Sequence, residues 1–407
     1  MLLKFSVENF LSIGSKQTID FTISKKDKLN DSSSEVCGKY VNNVACLLGA
    51  NGSGKSNLLE AINFYFFLTT IPVKSLGIQY LNDRFQMKLN DQASLKHKLL
   101  EHKNTKLDVE FIDSGKLFKL IIEINNNCII SEYLGVHVER DWTEVFSYQR
   151  GSDGKLKNDI KFKNNFKMNE NDLERFKEMN GTTLYAFFGQ YKYLKLILSD
   201  YEDNLEYCEF FKNLNYEFIA NRLIRDNKFM EFIKTSKTVL IDRINDIADV
   251  EITDIKIDKN FVGQEQIFFL HKKNKESFWL EINEESSGTR AIIFLLFTFL
   301  SGMLERQCVL FFDEIESGIH PLAIRKILKL FSDKEINKYN SQIFFSTHQP
   351  LFLNDRTKTQ IFLSKKNDKL ETEIYRLDDV EGVRNDENYL NKYLVGCYGA
   401  IPKVKWF

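Results

Sequence analysis

The chain has 407 residues, room for two or three structural units at roughly 150 residues each. Lys and Arg number 56 against 57 Asp and Glu, a formal net charge of −1, which excludes a globally basic nucleic-acid coat and a polyanionic tail. Apolar residues at 43% with only 4 Pro exclude disorder and linker arrays, and 35 Phe suit a chain that builds several apolar interfaces.

Leu3, Phe5 and Val7 alternate with polar residues, and Thr18 to Ile23 follows Gly14, so the chain is expected to open on an antiparallel hairpin rather than a signal peptide. A turn-rich stretch, Lys25 to Gly38, precedes Val44 to Leu48, an apolar run of the kind buried on both faces of a parallel sheet. Ser56 to Leu68 has helical spacing. Lys106–Ile112, Lys116–Ile124, Cys128–Val138 and Glu144–Tyr148 predict a β meander, because turn residues separate alternating runs. Glu170 to Ala248 reads as helical, with Tyr201–Leu223 and Asn227–Ile247 the clearest stretches and no persistent heptad. Strands are expected again at Val250–Ile257 and Gln266–Leu270. From Ser286 helix and strand alternate: Thr289–Leu304, Val309–Phe312, Leu322–Phe331, Gln342–Phe345 and Thr359–Leu363. The longest apolar run, Ala291 to Leu304, falls short of the roughly twenty residues a membrane-spanning helix needs. The six cysteines (Cys37, Cys46, Cys128, Cys208, Cys308, Cys397) contain no C-x-x-C pair, so neither a zinc site nor a disulfide framework is expected, and a reducing cytoplasm fits.

Gly49-Ala50-Asn51-Gly52-Ser53-Gly54-Lys55-Ser56 matches G-x-x-x-x-G-K-[ST] between a predicted strand and a predicted helix, with Asn57 continuing it. The glycines let backbone amides converge on phosphate oxygens, Lys55 neutralises phosphate charge, and the Ser56 hydroxyl is placed for Mg2+. ATP and Mg2+ are the expected ligands. Cys308 to Phe312 is an apolar strand ending in Asp313 and Glu314, the edge where open α/β sheets bind ligands. Alone, such a pair is also what an acidic turn gives. With the phosphate loop, Asp313 is expected to hold the metal and Glu314 to polarise the attacking water. Glu285-Ser286-Ser287-Gly288-Thr289-Arg290 has the form of a helix start able to meet a phosphate, and Phe344-Phe-Ser-Thr-His348 is a strand ending in a histidine able to bond a γ-phosphate. His97 and His102 have no metal-site spacing, and Lys155, Lys157, Lys161, Lys163 and Lys167 form a basic strip read as a solvated face.

The order phosphate loop, long insertion, S-S-G-T-R, strand-D-E, S-G-I-H-P and S-T-H resembles the ABC-type ATPase heads of the SMC and overcoming-lysogenisation-defect superfamily. More narrowly, Asp313-Glu-Ile-Glu-Ser-Gly-Ile-His-Pro321 and the tail Tyr393-Leu-Val-Gly-Cys-Tyr-Gly-Ala-Ile-Pro402 resemble the AbiLi and RloC-like ATPases of phage defence, PARIS-type ATPases among them. The resemblance implies an α/β ABC-ATPase (P-loop NTPase) head with an N-terminal antiparallel β subdomain and an inserted helical lobe. It divides the chain into 1–150, 151–250 and 251–407: the first half of the head, the lobe for dimerisation or partner binding, and the second half. Two heads clamp two ATPs, Ser286, Ser287 and Gly288 act on the partner's γ-phosphate, and Ser317 to His320 form the D-loop. Glu314 and His348 are then catalytic, and Gln190, in Phe187-Phe-Gly-Gln-Tyr, is the Q-loop candidate at the metal. The signature departs from transporters and SMC heads, which carry a second small glycine.

The expected function is a cytoplasmic, homo-oligomeric ATPase of an abortive-infection system, sensing infection and controlling a separately encoded toxin or nuclease. The alternative is an SMC- or RecF-like ATPase of DNA repair. Between Gly151 and Leu280 lie 21 basic and 22 acidic residues, which favours a protein partner, with nucleic acid left open. Val380-Glu-Gly382 resembles the first acidic motif of a TOPRIM nuclease, but no D-x-D follows it.

Overall fold

The computed structural model describes residues 1–25, 32–69, 78–91, 97, 100, 103–113, 115–163, 170–179, 181, 183–188, 210–211, 227–248, 250–259, 265–273, 276–305 and 307–402. In chain order the first half contains β1 (Leu2–Glu8), β2 (Gln17–Asp20), β3 (Thr22–Ile23), β4 (Ser33–Val36), β5 (Lys39–Asn42) and β6 (Val44–Gly49). Helices α1 (Lys55–Thr69) and α2 (Ile78–Asp91) follow, then β7 (Thr105–Asp113), β8 (Lys116–Ile124), β9 (Ile129–Val138), β10 (Asp141–Gln149) and β11 (Lys161–Phe162). The middle holds α3 (Glu170–Lys177), α4 (Leu184–Phe188), β12 (Phe210–Phe211) and α5 (Asn227–Ala248). The last part runs through β13 (Ile252–Lys259), β14 (Glu265–Lys273), β15 (Glu276–Glu281), α6 (Ser287–Glu305), β16 (Val309–Phe312), α7 (Pro321–Leu328), β17 (Gln342–Thr347), β18 (Ile361–Lys366), β19 (Thr372–Arg376) and α8 (Tyr389–Leu394).

Two large sheets result. The hairpin β1–β2 joins the meander in one antiparallel sheet ordered β11-β10-β9-β8-β7-β1-β2. The second sheet, β12-β16-β17-β6-β18-β19, is parallel except for its antiparallel edge strand β19. Successive side chains of a strand point to opposite faces, so this central sheet feeds two cores. Ala45, Leu47, Phe311, Phe344 and Phe362 pack with α1 and the meander. Val44, Cys46, Leu48, Phe312, Phe345 and Leu363 pack with α6, α7 and the tail. Burial on both faces is why these strands read as continuous apolar runs.

The expected hairpin, meander and alternating C-terminal half are present. Three expectations need correction. Phe210 and Phe211, inside the predicted helix Tyr201–Leu223, instead extend the central sheet by pairing in parallel with Phe311 and Phe312; the rest of that stretch lies outside the described residues. The turn-rich segment before β6 contains β4, paired with β5. Strands β15 and β19 were not expected: β15 is largely exposed, and β19 is five residues long with Glu373 and Arg376 among them. No described helix is long and apolar enough to cross a membrane.

Candidate phosphate-loop site

Strand β6 delivers its backbone to Gly49, and the chain turns through 50–54 into the first turn of α1. Gly54 has φ +101°, and a Cβ there would sit 1.9 Å from Thr372 Oγ1, so both the left-handed backbone and the close approach of β19 require glycine. Thr372 donates to the Ser53 carbonyl at 3.0 Å, and the Ser53 and Ser364 hydroxyls meet at 2.7 Å. Asn57 donates to the Ser12 hydroxyl at 2.5 Å, tying the loop to the N-terminal hairpin. The loop is therefore held from behind, and its residues line a cleft of about 1150 Å³.

That cleft is lined by Gly49 to Asn57, Glu314, His348 and Pro350. Lys55 Nζ donates to the Gly49 carbonyl at 2.9 Å and the Ala50 carbonyl at 3.3 Å, and stands 3.4 Å from His348 Nδ1. His348 Nε2 is 3.2 Å from Glu314 Oε1. The parallel pairing of β16, β17 and β6 brings these three side chains to one sheet edge, although they come from residues 55, 314 and 348. Burial holds the Lys55 ammonium below the usual lysine range, opposed by Asp313, Glu314 and Glu316. A cation kept partly dehydrated beside carboxylates gains strongly from a polyphosphate.

Glu314 adopts φ +53°, a left-handed backbone that a glutamate accepts only when its surroundings impose it. Ser346, fully buried on β17, imposes it. Its hydroxyl accepts the Glu314 N–H at 2.8 Å and donates to Asp313 Oδ1 at 2.5 Å, while its carbonyl accepts the Ile315 N–H at 3.3 Å. Asp313 thus stays at the strand end, half-buried, and Glu314 turns out into the cleft with its side chain 51% exposed.

Ser56 lines the cleft; Asp313 does not, but stands near enough to act on the Lys55 ammonium, and both are hard oxygen donors of the kind Mg2+ takes. No cluster of three His, Cys, Asp or Glu side chains suited to a metal exists among the described residues. Gln190 lies outside the described residues. Ser286, Ser287 and Gly288 do not line the cleft: Ser286 caps α6 by accepting the Thr289 N–H at 3.1 Å, and a Cβ on Gly288 would meet the Gly318 carbonyl at 3.6 Å.

Sequence reasoning missed two groups. Ser346 and Glu316 had a signal, as polar residues set into an apolar strand and an acidic motif. Tyr393, Leu394, Ile401 and Pro402, which supply most of the cleft's apolar wall, had none beyond the tail motif. The tail is fixed by Tyr375, which donates to the Tyr398 carbonyl at 2.5 Å, and by Tyr393, which donates to the Ala400 carbonyl at 3.2 Å.

Residues 44–354 match the family model described as "AAA domain, putative AbiEii toxin, Type IV TA system". The chain belongs to this family. A solved SMC head bound to the C-winged helix domain of ScpA is similar over 93% of this chain and 99% of its own, with TM-score 0.50 and 14% identity, which shows an ABC/SMC-type ATPase head fold. An SMC head domain from Thermotoga maritima aligns over 92% of this chain and 98% of its own, at 14% identity and TM-score 0.44. An SMC head with an extended coiled coil, bound to the C-terminal domain of ScpA derived from Pyrococcus furiosus, aligns over 93% and 97%, at 14% identity and TM-score 0.42. No curated protein matches the sequence. The family is one of P-loop ATPases, a type that binds nucleotide, typically with Mg2+.

Proposed function

We propose that this head hydrolyses ATP and serves a cytoplasmic bacterial antiphage system, where it senses infection and controls a separately encoded toxin or nuclease. The observation that supports hydrolysis is the convergence of Lys55, His348 and Glu314 at the mouth of one phosphate loop. In this reading the loop amides and Lys55 hold the β- and γ-phosphates, and His348 bonds the γ-phosphate. Glu314 takes a proton from the attacking water; the water oxygen bonds the γ-phosphorus, the bond to the bridging oxygen breaks, and ADP and phosphate leave. Ser56 and Asp313 hold Mg2+, which neutralises developing phosphate charge when bound.

Two copies closing face to face would bring the Ser286–Gly288 helix start, which stands away from its own cleft, onto the partner's γ-phosphate. Residues 1–150 and 251–407 then act as the two halves of the head, and 151–250 as the lobe for dimerisation or effector binding. The family's toxin–antitoxin description supports the two-component reading. Glu314→Gln is expected to retain ATP binding, lose about 10²- to 10³-fold in turnover and trap closed dimers. Wild-type turnover in that variant would overturn the base assignment, and a native-locus pull-down recovering no neighbouring gene product would overturn the effector.

A second reading, an SMC-like DNA-binding ATPase, is favoured by one observation. Lys155, Lys157, Lys161 and Lys177 surround a surface cavity in which Asp159 is the lone acid. It predicts ATP turnover stimulated by duplex DNA, with the stimulation falling steeply with salt. Turnover indifferent to DNA at low salt removes it.

A further inference from the structure

Glu316 lies four residues past the end of β16, and its backbone is locked. The Ile315 N–H bonds the Ser346 carbonyl, the Ser317 N–H bonds the Glu314 carbonyl at 2.9 Å, and the Ile319 N–H bonds the Glu316 carbonyl at 3.0 Å. Its side chain has one described hydrogen bond, in which Oε1 accepts the main-chain N–H of His348 at 2.7 Å. Oε2 is buried with no hydrogen-bond partner among the described residues.

A half-buried carboxylate whose buried oxygen is unpaired is a poor structural tie, since a neutral acceptor would hold the same N–H at less desolvation cost. Its position accounts for it. The peptide it grips is that of the residue whose imidazole stands between Lys55, at 3.4 Å, and Glu314, at 3.2 Å. The next peptide is tethered too, the Gln349 N–H bonding Thr347 Oγ1 at 3.0 Å, so the exit from β17 is set by two side-chain acceptors. Of these, Glu316 acts on His348 itself.

We propose that Glu316 is a positioning residue for hydrolysis: by holding the His348 peptide it fixes the imidazole between Lys55 and Glu314. The inference rests on the hydrolytic reading of the cleft. Its charge also acts on Lys55, but its one described hydrogen bond goes to His348, so the part of its effect that survives in the uncharged glutamine passes through that residue. Misplacing a catalytic group by about 1 Å costs up to about 100-fold in rate while leaving ground-state binding intact.

The test measures kcat and the MgATP Kd of the full chain for wild type, Glu316→Ala, Glu316→Gln, His348→Ala and the Glu316→Ala/His348→Ala double variant. Glu316→Ala is expected to lose about 30-fold in kcat with Kd within about 3-fold, and Glu316→Gln, which keeps a carbonyl acceptor, to recover to within about 3-fold of wild type. The double variant is expected to match His348→Ala within about 2-fold, because coupled residues are not additive. Wild-type turnover in Glu316→Ala, or a double-variant loss equal to the product of the single losses, overturns the positioning role. Should Glu316→Ala not fold, Glu316→Asp replaces it; one methylene too short to reach the peptide, it is expected to be slow, and full activity overturns the role. A wild-type chain without turnover, or His348→Ala at full rate, overturns the hydrolytic reading and this inference together. An unaffected Glu316→Ala beside a slow His348→Ala overturns this inference alone.

Discussion

Two polar clusters of this protein, the cleft at the edge of the central sheet and a clamp inside the meander, solve opposite problems. In the clamp, Glu132 on β9 accepts the Leu184 N–H at 2.6 Å and the Tyr185 N–H at 2.8 Å, so it holds the start of α4. Arg150 donates to the Gly154, Phe176 and Lys177 carbonyls and lies over the Tyr148 and Phe176 rings. Both residues are about 1% exposed; Glu132 and the two terminal nitrogens of Arg150 bond within the chain, while Arg150 Nε has no partner among the described residues. The cleft faces solvent: among the described residues Lys55 donates to two carbonyls and stands beside an imidazole, Glu316 keeps an unpaired oxygen, and Glu314, half-exposed, is held at positive φ. Polar groups buried on every side fix a fold, whereas those opening onto a cleft at a sheet edge await a ligand.

The difference can be broken by exchanging consequences. The Glu314→Gln variant, with the largest expected effect on turnover, is expected to keep its melting temperature within about 2 °C, because its side chain is exposed and its backbone is held by Ser346. A large drop on differential scanning would place the cleft among the structural clusters. Arg150→Ala should do the reverse, costing about 3–5 kcal/mol in denaturant unfolding by orphaning three buried carbonyls and the Glu132 charge, while the folded fraction binds ATP normally. Loss of ATP affinity without loss of stability would sink that assignment.

Glu132 sharpens the comparison through pH. Burial pushes its carboxyl from 4.5 up to about 7, against the two N–H bonds and the Arg150 charge that favour the anion. The folded state therefore binds the proton more tightly than the unfolded chain, so stability falls as pH rises from about 4.5 to about 7 and is level above. Glutamine mimics the neutral acid, so Glu132→Gln should gain on wild type by about 3 kcal/mol between pH 5 and pH 8. Parallel stability curves over that range would refute the buried, proton-retaining carboxyl.

The smallest expected effect belongs to the tail. Leu394 is 59% exposed yet lines the cleft, so Leu394→Ala should weaken ATP binding by about 3-fold without destabilising the chain. Unchanged affinity on titration with a fluorescent ATP analogue would leave the tail a purely structural hook.

Much of the site was legible because its chemistry is compressed into short strings. A phosphate loop needs its glycines, lysine and serine in one turn, and the acidic pair must follow a buried strand, so residues 49–57 and 313–314 announce themselves. Ser346 and Glu316 were readable only as letters, because their work depends on which strand lies beside β16. The tail residues were less legible still, since side chains near 400 meet a loop near 50 only after the chain has folded.

The sequence by itself determined the strands buried on both faces, the meander, and the identity of the phosphate-binding and acidic residues. These follow from local rules: side-chain period, turn chemistry, and the backbone freedom of glycine at Gly54. The tertiary structure decided the strand order β16-β17-β6-β18, and with it the meeting of Lys55, His348 and Glu314. The reason is physical: parallel pairing joins segments hundreds of residues apart through backbone hydrogen bonds that carry no side-chain signature, so the sequence names the groups and the sheet sets their distances.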